Sequence, residues 1–225
     1  MEEGNNQFIT HRVGLLFGFA GILGSIALFT GDMLIFYRGD ETNIFANMGL
    51  VSEARITGSA ICGLLAGWLY TLGAGQVYYA FQPAKRWARL GVFFSFASVM
   101  ILYGVIHGAY IAIATSSVIA NQLGLDVDLT VKLAVDINNT MRLLAYPFFA
   151  AFTILFIVFV WKKATLYPRW VILFSPAIPF LFSDLVANSL DGRFFTIIAG
   201  AYLNIMLFLF FGASTIALWK KQKEK

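Results

Sequence analysis

The chain has 225 residues, of which 59% are hydrophobic and 12% charged, with 23 Phe and a mean hydropathy of +0.76. So much apolar surface exceeds what one water-soluble core of this length hides, which excludes a soluble enzyme, a disordered tail and a disulfide scaffold. The single Cys62 has no partner for an internal disulfide, and the net charge of +4 matters through where the basic residues fall, not through its sum.

Apolar runs of about 18 residues or more predict an all-α polytopic membrane protein, a six-helix transmembrane bundle forming a single transmembrane domain over 1–225. In chain order the predicted spans are 12–37, 54–80, 90–120, 133–161, 170–188 and 194–219. A membrane barrel would show shorter segments of alternating polarity instead. No small-residue cleavage site follows the first span, so a removable signal peptide is not expected.

Each span carries its own marks. The first places Gly14, Gly18, Gly21, Ser25 and Asp32 on one helical face, which directs Asp32 toward another helix. The second sets Arg55, Ser59, Gly63 and Gly67 in one row, a seam that allows close backbone approach. These seams predict that the first two helices pack together; a homodimer contact is their other use. The third span contributes His107. In the fourth, Asn139, Arg142 and Tyr146 share a face ahead of Pro147. Pro176 and Pro179 lack an N–H, so the fifth is expected to be kinked or broken, freeing the carbonyls of Ile172 and Ser175. Asp184, Asn188 and Asp191 follow on one face of that span. The sixth offers Asn204, near Gly200, as a polar group for the inner half.

The basic residues set the orientation, because cations beside helix ends resist translocation. Arg12, Lys85, Arg86, Arg89, Lys162, Lys163, Arg169, Lys220, Lys221, Lys223 and Lys225 fall on one side, eleven in all, and Arg38, Arg55, Lys132, Arg142 and Arg193, five, on the other. Both termini are therefore expected in the cytoplasm. Trp87, Trp161, Trp170 and Trp219 fall beside the inner clusters, at the depth an indole prefers; Trp68 does not. Acids add weaker support, with Asp40, Glu41, Glu53, Asp126, Asp128 and Asp191 outside and Glu2, Glu3 and Glu224 inside.

Counted along their helices, Asp32, Arg55, His107, Arg142 and Asp184 reach similar depth in the outer half of the bilayer. Each costs about 2.5–3.5 kcal/mol when inserted alone at the bilayer centre, so they are expected to pair or to face water. The simplest arrangement sets Arg55 and Arg142 against Asp32 and Asp184, with His107, Asn139 and Asn188 completing the hydrogen bonds. That cluster predicts an outward-facing polar pocket for a small polar or amphipathic ligand, and a proton-coupled transporter if the pocket also opens inward. An imidazole beside a carboxylate exchanges protons readily, so an intramembrane enzyme acting on a lipid-like substrate is the alternative. A third reading is a silent scaffold whose charges snorkel separately.

Other chemistries lack their residues. His11 is too far along the axis to share a metal with His107. No GxSxG motif supports a Ser59–His107 dyad, and no phosphate loop or dinucleotide fingerprint occurs. No metal and no cofactor are expected, and the partners are the lipid bilayer and a small-molecule or lipid ligand, not nucleic acid.

The segment Gly31-Asp32-Met33-Leu34-Ile35-Phe36-Tyr37, with the six-span layout, resembles an uncharacterised family of bacterial polytopic membrane proteins, a domain of unknown function. The resemblance implies a multi-pass protein of the bacterial inner membrane and no particular activity.

Overall fold

The computed structural model describes residues 9–38, 47–190 and 192–223, and every regular element among them is helical. Glu2, Glu3, Asp40, Glu41, Asp191, Glu224 and Lys225 lie outside the described residues, as do the side chains of Lys221 and Lys223. Four long helices come first: α1 (His11–Phe36), α2 (Glu53–Ala80), α3 (Arg86–Gln122) and α4 (Val127–Trp161). Thr10 and Asp126 start α1 and α4 by accepting hydrogen bonds from the amides of Val13 and Leu129. Pro147 lies within α4 without ending it.

The predicted fifth span is not a continuous helix. It consists of a 3₁₀ segment (Arg169–Phe174), α5 (Ala177–Phe180) and α6 (Ser183–Asn188). The break has the expected cause, proline, but the carbonyls it was expected to free are taken: Ile172 O accepts from the Ser175 amide and Ser175 O from the Ile178 amide, both at 2.9 Å. Tight turns replace the lost helical bonds. The predicted sixth span is split at Ala201 into α7 (Gly192–Gly200) and α8 (Tyr202–Lys223). Among the described residues five helices, α1 to α4 and α8, are long and apolar enough to cross a membrane.

α1 lies between α2 and α8, α2 packs on α3, and α3 on α4. Glycine makes the first of these contacts possible. A Cβ on Gly14 would stand 2.6 Å from the Tyr79 ring, and one on Gly18 would overlap Gln76 of α2 and Thr215 of α8. Gly21 faces Phe211 of α8 in the same way. The two helices at α1 therefore approach closer than any side chain would allow.

Gly18 meets Thr215, Gly21 meets Phe211 and Asp32 meets Asn204, so α8 runs antiparallel to α1. The chain between α4 and α8 joins opposite ends of the bundle. Tyr167 bonds Ser214, Phe180 packs on Tyr146 and Phe149, and Gly200 reaches Phe36. A tyrosine ties this broken stretch to α8, since the Tyr202 hydroxyl donates to Pro179 O at 2.7 Å.

Phenylalanine closes the middle. Phe96 of α3, Phe152 and Phe156 of α4, and Phe210 and Phe211 of α8 are fully buried, and Phe96 stacks on Phe152 with ring centroids 4.5 Å apart. The face of α4 that meets α8 does so through Phe152 and Phe156 against Phe210. Toward the other end the two helices part, and a cavity fills the gap.

Candidate functional site

The cavity measures about 610 Å³ and is lined by α1, α3, α4, the broken stretch and the start of α8. Its polar lining includes Asp32, His107, Asn139, Arg142 and Asn204, with Tyr103, Tyr110 and Tyr146 beside them. Ring and aliphatic side chains supply the remainder.

At one wall a buried chain of hydrogen bonds crosses four helices. His107 Nδ1 stands 3.1 Å from Asp32 Oδ1, and Asn204 Nδ2 donates to Asp32 Oδ2 at 2.6 Å. Asn204 Oδ1 in turn accepts from the Tyr70 hydroxyl at 3.2 Å. Behind the imidazole, Nε2 faces both the backbone oxygen of Ser59, at 3.1 Å, and its Oγ, at 3.2 Å. Each ring nitrogen is thus occupied by a protein partner. Asp32 meets one protein partner at each oxygen, which leaves further lone pairs for a donor in the cavity. Gly63 provides the room, because a Cβ there would overlap His107 Cδ2.

Ser59 sits within reach of His107, closer than the sequence argument allowed, but it is not placed as a nucleophile. Its hydroxyl donates to Gly31 O at 2.7 Å, it is 0% exposed, and it does not line the cavity. It acts here as a tether for the ring.

Four of the predicted site residues come together at the cavity: Asp32, His107, Asn139 and Arg142. Three do not. Arg55 was expected against a carboxylate; instead its guanidinium donates to the carbonyls of Leu34 at 2.7 Å, Met33 at 3.0 Å and Tyr37 at 2.6 Å. α1 has no basic residue in its own last turn, and Arg55 supplies the positive charge its C-terminus favours. Asp184 and Asn188 are exposed on α6 and away from the cavity lining, which Ser183 joins instead. The break at Pro176 and Pro179 removes the continuous helix that would have carried Asp184 inward. Asn204, expected in the inner half, belongs to the Asp32 wall because α8 begins only at Tyr202.

Arg142 has no carboxylate partner among the described residues. Among the described residues the ion pairs within 4.0 Å are His107–Asp32 and Lys132–Asp136. The hydrogen bond found for Arg142 is to the Tyr110 hydroxyl at 3.5 Å, the long limit for such a contact.

A second buried network, at the opposite end, was not expected. Gln76 Nε2 donates to Thr215 Oγ1 at 3.0 Å, Ser214 Oγ donates to Gln76 Oε1 at 2.8 Å, and Tyr167 meets Ser214 at 2.6 Å. The signal available in the sequence was Gln76 alone, an amide inside an apolar run.

Helix length, apolar surface and exposed Trp87, Trp161, Trp170 and Trp219 make this an all-helical protein of membrane type. The chain belongs to a family of unknown function, DUF6796, whose profile matches residues 8–221. No curated protein and no solved structure matches it.

Proposed function

We propose that this chain is a six-span inner-membrane protein that binds a small polar or amphipathic ligand in the cavity between α4 and α8. In this reading both termini are cytoplasmic, the broken stretch counts as the fifth span, and the cavity lies toward the outer face. The distribution of basic residues supports that orientation. The observation that carries the reading is Arg142, a guanidinium lining the cavity with no carboxylate among the described residues within ion-pair distance. An anionic ligand group would complete it, while Asp32 would accept from a ligand donor. The buried phenylalanines beneath favour a site open on one side over a path for transport.

The test is mass spectrometry of small molecules that co-purify with wild type, Arg142→Gln and Ser183→Trp, the last filling the cavity. One anionic species recovered with wild type and lost from both variants, at equal folded yield, is the expected result; equal recovery from all three rejects the reading.

A second reading rests on the 3.1 Å contact of His107 with Asp32. That pair could move a proton to or from a bound lipid-like substrate, Asp32 facing it and His107 behind. His107→Gln should then retain the ligand while stopping its conversion.

A further inference from the structure

The lining residues of the cavity that are exposed, Asn139, Arg142, Leu143 and Tyr146, are all on α4, at spacings of three, four and seven that share one face. The mouth therefore runs along this helix. Its depth follows from the helical rise: Arg142 precedes Trp161 by 19 residues, or about 28 Å, close to the thickness of about 30 Å of a hydrocarbon core. With Trp161 at one interface, Arg142 reaches the opposite one. Leu143, 61% exposed, and Tyr146, 46% exposed, then stand just inside the hydrocarbon. An opening at that depth faces lipid as well as water.

The lining is divided to match. Arg142, Asn139 and Asp32 form the polar part, and Leu28, Phe36, Ile106, Phe180 and Met206 the apolar part. A volume of 610 Å³ falls in the range of about 300–1,000 Å³ that suits a drug-sized ligand, well short of a diacyl phospholipid. Resting on the cavity's being a ligand site, we infer that its occupant is a single-chain anionic amphiphile drawn sideways from the bilayer, its carboxylate or phosphate held by Arg142 and its chain on the apolar wall. The same oxyanion chemistry would also suit a soluble phosphate, and the test separates the two sources.

The protein is reconstituted in phosphatidylcholine nanodiscs and offered three probes: a monoacyl phosphatidylglycerol, a monoacyl phosphatidylcholine of equal chain length, and glycerol 3-phosphate. Binding is read by native mass spectrometry. The expected result is preference for the anionic monoacyl lipid over the choline lipid by about tenfold or more, abolished in Arg142→Gln, with no binding of glycerol 3-phosphate. Glycerol 3-phosphate binding as well as the lipid overturns the bilayer source and leaves the ligand site standing. Failure of all three probes, with a co-purifying species still displaced by Ser183→Trp, likewise overturns the inference alone. Failure of the probes with nothing co-purifying overturns both.

Discussion

His107 and Asp32 meet at 3.1 Å from helices α3 and α1, and neither is more than a tenth exposed. The contact joins two helices that are not neighbours in sequence. It is held from both sides, by Ser59 behind the ring and by Asn204 beyond the carboxylate.

Asp32→Asn tests that arrangement. An amide has one acceptor oxygen, and the two groups now facing the carboxylate are the His107 ring nitrogen and the Asn204 amide. With the amide oxygen toward Asn204, the new N–H faces His107 Nδ1, which accepts it when the ring proton is on Nε2 beside Ser59 O, so the variant keeps both contacts but no longer offers them a carboxylate. The expected loss is about 1–2 kcal/mol, the difference between hydrogen bonds to a charged and to a neutral acceptor, read as a lower melting temperature in detergent. Adding Asn204→Asp returns a carboxylate to this contact and should recover part of the loss. Strict additivity of the two changes would show the bond between them to be unimportant.

Gly63 and Gly67, one turn apart on α2, should respond in opposite ways to alanine. A Cβ on Gly63 would overlap His107 Cδ2, in a ring bonded at both nitrogens and unable to turn aside. Gly63→Ala should cost about 1–3 kcal/mol through overpacking and weaken the His107–Asp32 contact. At Gly67 nothing stands within 4 Å of the added carbon, and Gly67→Ala should leave thermal stability unchanged or raise it. A similar drop at both positions would contradict the packing described for α2.

This contrast shows how far sequence reasoning reaches. The row of Arg55, Ser59, Gly63 and Gly67 was legible as a small-residue seam, and Asp32, His107 and Arg142 as ionisable groups at similar depth, because each interrupts an apolar run. Which partner each row meets was not legible, since i+4 spacing places residues on a face without saying what lies opposite. Arg55 illustrates the limit: carbonyls at the end of α1 attract a cation as a carboxylate does, yet no side chain announces them. Asp184 illustrates another. Its depth was counted along a continuous helix, and two prolines had already removed that helix. The expectation of free carbonyls failed for a related reason, because local turns reuse acceptors that a helix has lost.

Arg55 and Arg142 therefore should separate stability from binding. Arg55→Lys keeps the charge but loses the planar fork that reaches three carbonyls, so α1 should fray at its C-terminal end. Faster hydrogen exchange over residues 33–37 and a lower melting temperature are expected, with ligand recovery changed little. Arg142→Gln should do the converse, leaving the stability of ligand-free protein within about 0.5 kcal/mol of wild type while ligand is lost, since its side chain is exposed and bonded to one tyrosine. Loss of fold in Arg142→Gln would assign that residue to the scaffold.

At the other end of α1, the Gln76 network should behave as one unit. Gln76 is 0% exposed, and its amide bonds the hydroxyls of both Thr215 and Ser214. Gln76→Leu removes both bonds and leaves polar groups of α8 buried without their partner, at an expected cost of about 1–3 kcal/mol. Tyr167→Phe takes away only the outer link to Ser214 and should cost less, about 0.5–1.5 kcal/mol. Once Gln76 is gone the Ser214 hydroxyl can turn toward Tyr167, so the double variant should lose measurably more or less than the sum of the singles. A double-mutant cycle on thermal unfolding reads that coupling directly. A value near zero would mean that Tyr167 and Gln76 hold α8 independently, and that the network seen at Ser214 is two separate bonds.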